Sequence, residues 1–151
     1  MLEARRRDGA LDKPMGTLRI LIADDHQSVR MLLRNILESV PEWEVCGEVA
    51  DGAAAVRSAR WLRPDIIVMD LVMPERNGFE ATEEVLQDEP HVRVVLTTLH
   101  EVPGFAEKAQ RVGACGCFSK AESGRQLIPA VRAAASRIPF FTSRDLEARP
   151  S

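Results

Sequence analysis

The chain has 151 residues, 45% of them apolar and 28% charged, and 20 basic against 23 acidic side chains leave a net charge of −3. That length and composition fit one soluble domain with one core, while the acidic balance offers no nucleic-acid footprint and no apolar run approaches the roughly 18 residues that span a bilayer. Three cysteines, Cys46, Cys115 and Cys117, with no CxxC pair argue against a disulfide framework or a zinc knuckle. Arg5, Arg6 and Arg7 lead into Asp8, Gly9 and Ala10 instead of a signal-peptide apolar stretch, so the expected location is the cytoplasm.

Residues 1–16 mix charges with two glycines and a proline, show no periodicity, and are expected to form a disordered tail. LRILIA (18–23) has the pattern of a buried strand. After it, Val29, Leu32, Leu33, Ile36, Leu37 and Val40 share one helical face. WEVCGEVA (43–50) predicts a second strand, 52–62 an Ala-rich helix, and IIVMD (66–70) a third strand that is apolar on both faces. Helical period returns over 79–86, followed by VRVVLTT (92–98), a helix over 105–112, CGCFSK (115–120) and a last helix over 126–138, whose first turn Pro129 should limit.

Apolar strands separated by amphipathic helices require a parallel sheet covered on both faces. The expected fold class is therefore α/β, a doubly wound five-stranded parallel sheet with helices on both faces. In such folds ligands sit beyond the carboxyl ends of the strands. There the first strand ends in Asp24 and Asp25, the third in Asp70, the fourth in Thr97 and Thr98, and the fifth in Lys120.

A nucleotide-binding fold would place glycines after the first strand to cradle phosphate, and here that loop reads ADDHQS. Acids in that place attract a hard cation such as Mg²⁺. Three carboxylates in one cleft stay ionised only with compensation, which a dication and the Lys120 ammonium would supply. Simpler roles exist for each residue alone: Asp24 and Asp25 as caps of the following helix, Thr97 as an ordinary strand residue, and Lys120 in a surface ion pair. His26, His91 and His100 show no ligand spacing and are expected at the surface, and Trp43 and Trp61 are expected to be core or half-buried.

Taken together, Asp24-Asp25, the run Asp70-Leu71-Val72-Met73-Pro74 with Gly78 beyond it, Thr97-Thr98, and Lys120 after Gly113-Ala114 closely resemble the receiver domain of bacterial two-component response regulators. The resemblance covers Leu18 to about Ile138, with a CheY-like fold. Thr97-Thr98, Ala121 after Lys120 and the stretch RIPFFTS point to the NarL-type branch. The resulting organisation is a tail over 1–16, a receiver over 17–138, and a tail or connector remnant over 139–151.

The resemblance implies that Asp70 is the phosphoacceptor and takes its phosphoryl group from a sensor histidine kinase or phosphotransfer protein. Asp25, Asp70 and the Val72 carbonyl would ligate Mg²⁺, with Asp24 acting through water. Lys120 would contact the phosphoryl oxygens, as would the Thr97 hydroxyl and the Thr98 N–H. The chain would be a phosphoacceptor with weak self-dephosphorylation instead of a turnover enzyme. It would signal to a downstream protein partner, with homodimerisation on phosphorylation and without contacting nucleic acid or membrane itself. The alternative is a NarL-type transcriptional regulator relative that lacks its helix-turn-helix effector.

One departure from the family pattern stands out. The position usually held by a switching aromatic ring is Cys117, and Phe118, one residue on, faces the other side of the strand. Val72 and Leu99, two residues beyond Asp70 and Thr97, are apolar where polar side chains would hold a hydrolytic water. A phosphohydrolase would carry its nucleophile in an Asp-x-Asp motif after the first strand, and a flavin binder a glycine- and hydroxyl-rich loop there, and neither is present.

Overall fold

The computed structural model describes residues 16–100 and 102–141. Most of the expected N-terminal tail and the segment 142–151 therefore lie outside the described residues. In chain order the elements are β1 (Leu18–Ala23), α1 (Gln27–Glu38), β2 (Trp43–Val49), α2 (Gly52–Leu62), β3 (Ile66–Asp70), α3 (Gly78–Asp88), β4 (Arg93–Thr98), α4 (Phe105–Arg111), β5 (Gly116–Ser119) and α5 (Ser123–Ala135), with a 3-10 turn over Lys120–Glu122. The sheet is parallel, in the order β2-β1-β3-β4-β5. The doubly wound fold expected from the alternation of elements is the fold observed.

Period-2 alternation divides the core between the two faces. Leu21, Ile67, Met69, Leu96 and Cys117 point to one layer, closed by Ala55, Val56 and Ala59 of α2, Ala81 and Val85 of α3, and Ala106 of α4. Ile20, Ile22, Ile66, Val68, Val95 and Phe118 point to the other, closed by Leu33 and Leu37 of α1 and by Leu127, Ala130 and Val131 of α5. Every residue of β3 is buried. Each large apolar side chain there contributes about 1.5–3 kcal/mol, so the strand that ends in Asp70 is a firmly held platform.

Helix ends differ from expectation where local chemistry intervenes. An Asn77–Glu80 capping box starts α3 at Gly78, and Asp51 caps α2 by accepting the Ala54 N–H at 2.7 Å. Helix α5 starts at Ser123, so Pro129 sits in mid-helix and not in the first turn. It is exposed there, and its missing N–H leaves the Arg125 carbonyl without a helical donor. The same helix stops at Ala135 because Arg137 turns left-handed, with φ 59°. Its N–H then bonds the Ala134 carbonyl at 3.0 Å, and the Ile138 N–H bonds the Ala133 carbonyl at 2.8 Å.

Beyond that turn the chain runs back along β5. The Phe140 N–H donates to the Cys115 carbonyl at 2.9 Å, and the Cys117 N–H donates to the Phe140 carbonyl at 3.1 Å. Phe140 packs into one core layer and Phe141 into the other. Of the expected tail over 139–151, Phe140 and Phe141 are thus held against the sheet and core. Trp61 is 85% exposed, contrary to expectation, because it falls off the Ala55-Val56-Ala59 stripe by which α2 packs. Trp43 is half-buried as expected, with the Arg132 guanidinium 5.4 Å from its ring centroid.

Candidate functional site

The parallel sheet brings the ends of β1, β3, β4 and β5 to one edge. Asp24 is 1% and Asp70 3% exposed. The Lys120 ammonium lies between them, 2.8 Å from Asp24 Oδ2 and 3.3 Å from Asp70 Oδ1, on a side chain only 5% exposed. Two buried carboxylates therefore share one buried cation. Burial and, after it, the Asp24 charge raise the Asp70 pKa above its ordinary 3.8, against the opposing pull of Lys120 and of a hydrogen bond from the Val72 backbone.

Asp25 stands at the mouth, partly exposed. Beside it is a residue that sequence reasoning assigned only to the surface: His26 Nδ1 lies 3.2 Å from Asp24 Oδ1 and 3.1 Å from Asp25 Oδ1. The ring is 60% exposed, so the surface expectation holds for its solvent contact but misses its place in the cluster. Its position directly after the acidic pair was the available signal. Neither aspartate caps α1. His26 occupies the N-cap position without a side-chain cap bond, and Asp24 Oδ1 instead accepts the His26 N–H at 2.9 Å. The capping role considered from sequence is not taken up.

Asp24, Asp25, His26 and Asp70 each offer one ligand atom, and these atoms lie within 4.8 Å of one another. Oxygen-rich donors around an excess of buried negative charge fit a hard dication such as Mg²⁺. Thr97 pairs directly with Asp70 across β3 and β4, and its buried Oγ1 has no hydrogen-bond partner. The Thr98 hydroxyl is turned to the His100 carbonyl at 3.0 Å. Val72 and Leu99 are both exposed.

Gly78 permits the loop behind Asp70 to close. A Cβ there would come within 2.6 Å of the Asp70 carbonyl and 2.9 Å of Leu71 Cα, and the Gly78 N–H donates to the Leu71 carbonyl at 2.7 Å. Gly78 thus both starts α3 and shapes the loop behind Asp70 through its close approach to the Asp70–Leu71 backbone. Cys117 is fully buried opposite Leu96, with Phe118 on the reverse face beside Thr97. No described helix is long and apolar enough to cross a membrane.

The response regulator receiver domain model matches residues 20–132. Transcriptional regulatory protein DegU of Brevibacillus brevis is 36% identical over 118 residues, which is 78% of this chain and 50% of that protein. Transcriptional regulatory protein LiaR of Bacillus subtilis is 35% identical over 127 residues, 84% of this chain and 60% of that protein. The chain thus spans about half the length of the curated relatives it matches. The crystal structure of a LuxR-family two-component response regulator from Aurantimonas sp. SI85-9A1 superposes with a TM-score of 0.82 at 34% identity, covering 87% of this chain and 94% of that one. With the family model, these relatives and the observed sheet order in agreement, the chain belongs to the receiver domains of two-component response regulators, of the NarL/LuxR type.

Proposed function

We propose that the chain accepts a phosphoryl group on Asp70 from the phosphohistidine of a sensor histidine kinase or phosphotransfer protein, in the cytoplasm and with Mg²⁺ bound. The observation that carries this reading is the buried pair Asp24 and Asp70 around Lys120, with Asp25 at the mouth and the orphaned Thr97 hydroxyl on the adjacent strand. An Asp70 carboxylate oxygen attacks phosphorus in line. The O–P bond forms as the N–P bond breaks, and the imidazole leaves with the bonding pair. Asp24, Asp25 and Asp70 would hold the dication, with the Val72 carbonyl, and its charge would offset that gathering on the transferring oxygens.

Lys120 neutralises part of the same charge from inside the cleft. Once Asp70 is modified, its phosphoryl oxygens meet the Thr97 Oγ1 donor, which has no other partner. That bond draws in the loop after β4 and biases the face built from the last two strands and helices. The output passes to a downstream protein or to a second copy of the chain. It is not a turnover reaction.

Labelling with a small phosphodonor, with and without Mg²⁺, tests the reading: label is expected on the wild type only with the metal and not on Asp70→Asn. Label retained on Asp70→Asn sinks the assignment. A transcriptional output is favoured by the relatives, two of which bear the name of transcriptional regulatory protein. A gel shift at moderate salt checks whether this chain binds DNA itself, and none is expected.

A further inference from the structure

A cavity of about 250 Å³ opens at the opposite edge of the sheet, at the starts of β4 and β5. Leu86, Val92 and Pro139 give it apolar walls, and Arg93, Arg137 and Cys115 line it as well. Among the described residues no carboxylate lines it. Two arginines from separate elements, the first residue of β4 and the turn after α5, thus share one cavity wall. Among the described residues neither is in an ion pair.

Arg93 Nε is buried and has no hydrogen-bond partner. Such an atom is costly to bury unless a water or an ion satisfies it. Arg137 is the second anomaly. It is the left-handed residue of the helix-ending turn, a position that glycine fills without strain. An arginine there accepts backbone strain, as Arg63 does at the end of α2, and its side chain is among those that line the cavity. The Cys115 thiol feels both charges, which act against the upward pull of burial on its pKa.

We propose that this cavity binds a small organic oxyanion, a carboxylate or a phosphate monoester carried on a single-ring apolar body. The two guanidiniums take the oxyanion, as planar donors suited to paired oxygens. Leu86, Val92 and Pro139 take the ring. The site is independent of the acidic cleft and does not require the phosphoacceptor reading to be right.

The test is a titration of the ¹⁵N-labelled full chain with benzoate and with phenyl phosphate at constant ionic strength, followed by amide shifts. Saturable shifts are expected at Val94, Cys115, Arg137 and Ile138. Arg137→Gly keeps the left-handed turn without strain, so it is expected to melt higher than the wild type while binding at least about tenfold more weakly. Arg93→Gln provides a second loss of binding from the other wall. Shifts that grow without saturation, or binding undiminished in both variants, overturn the proposal. Equal affinity for inorganic phosphate and phenyl phosphate overturns its apolar half.

Discussion

At the carboxyl ends of the strands two buried carboxylates face one ammonium, while at the amino ends of β4 and β5 two arginines line a cavity that no carboxylate of the described residues lines. Strand β3 is buried along its whole length and β4 is buried beyond Arg93, so the charged residues of these two strands stand at their ends. Each edge is unbalanced in the opposite sense. The acidic edge is closed by burial and lacks positive charge, whereas the basic edge is open and lacks negative charge. An imbalance left in a folded protein marks where a ligand completes the structure, and the sign of the imbalance gives the sign of the ligand.

Asp70→Asn separates the two edges most sharply. Phosphoryl labelling is expected to fall to background, with oxyanion binding at the basic edge untouched. The same variant reports the strain of the acidic edge. Because the folded state raises the Asp70 pKa, the stability gained by protonating Asp70 is present below the ordinary 3.8 and is lost as pH rises through the raised value. At neutral pH Asp70→Asn is therefore expected to melt above the wild type in metal-free buffer, with the gap closing on acidification. Thermal melts at neutral and acid pH check this.

Lys120→Ala is expected to act in the opposite direction, costing about 3–5 kcal/mol, since it leaves Asp24 and Asp70 buried without their cation. Denaturant unfolding measures that loss, and Mg²⁺ should recover part of it. In the wild type, Mg²⁺ at a hundredfold excess over its dissociation constant is expected to add about 2.7 kcal/mol by mass action. Asp25→Ala should remove most of that gain, and a melting temperature indifferent to the metal in wild type would break the comparison at its acidic end.

Smaller effects come from the rim and from the surface. Replacing Val72 with Asn and Leu99 with Glu supplies polar groups that can hold a water in line with the phosphorus. The pair is expected to shorten the lifetime of the modified state about tenfold, or ~1.4 kcal/mol in the barrier, with Mg²⁺ binding retained. Loss of label over time measures it. Glu48→Gln should cost only about 0.5 kcal/mol, because Glu48 pairs with Arg30 and Arg34 at the surface. Hydrogen bonding from Arg34 holds the Glu48 pKa below its ordinary 4.5. Its contribution is thus present above that value and is lost as pH falls through the lowered one, so the variant and wild type should converge in acid.

The five strands and the acidic edge were legible because apolar runs and charged strand ends are local in sequence. Asp24, Asp70 and Lys120 meet because parallel strands end together, which the alternation of elements already dictates. The basic edge was not legible. Arg93 begins a strand, and Arg137 lies inside a segment that reads as helix. They converge only because the chain reverses at a left-handed residue where glycine would have signalled the turn. His26 was missed for a related reason, since a lone imidazole has no spacing to announce it. Trp61 misled because hydrophobicity speaks for burial, while the packing stripe of α2 runs along its alanines.

The return of the chain along β5 has a consequence for self-association. An outer strand offers unpaired backbone groups to any other chain that can extend the sheet. Phe140 occupies that position against Gly116, so closely that a Cβ on Gly116 would lie 2.9 Å from Phe140 Cβ. Loosening this seal, by a bulky residue at 116 or by losing the ring at 140, would turn β5 into a template, and aggregation kinetics would register the change before equilibrium stability did.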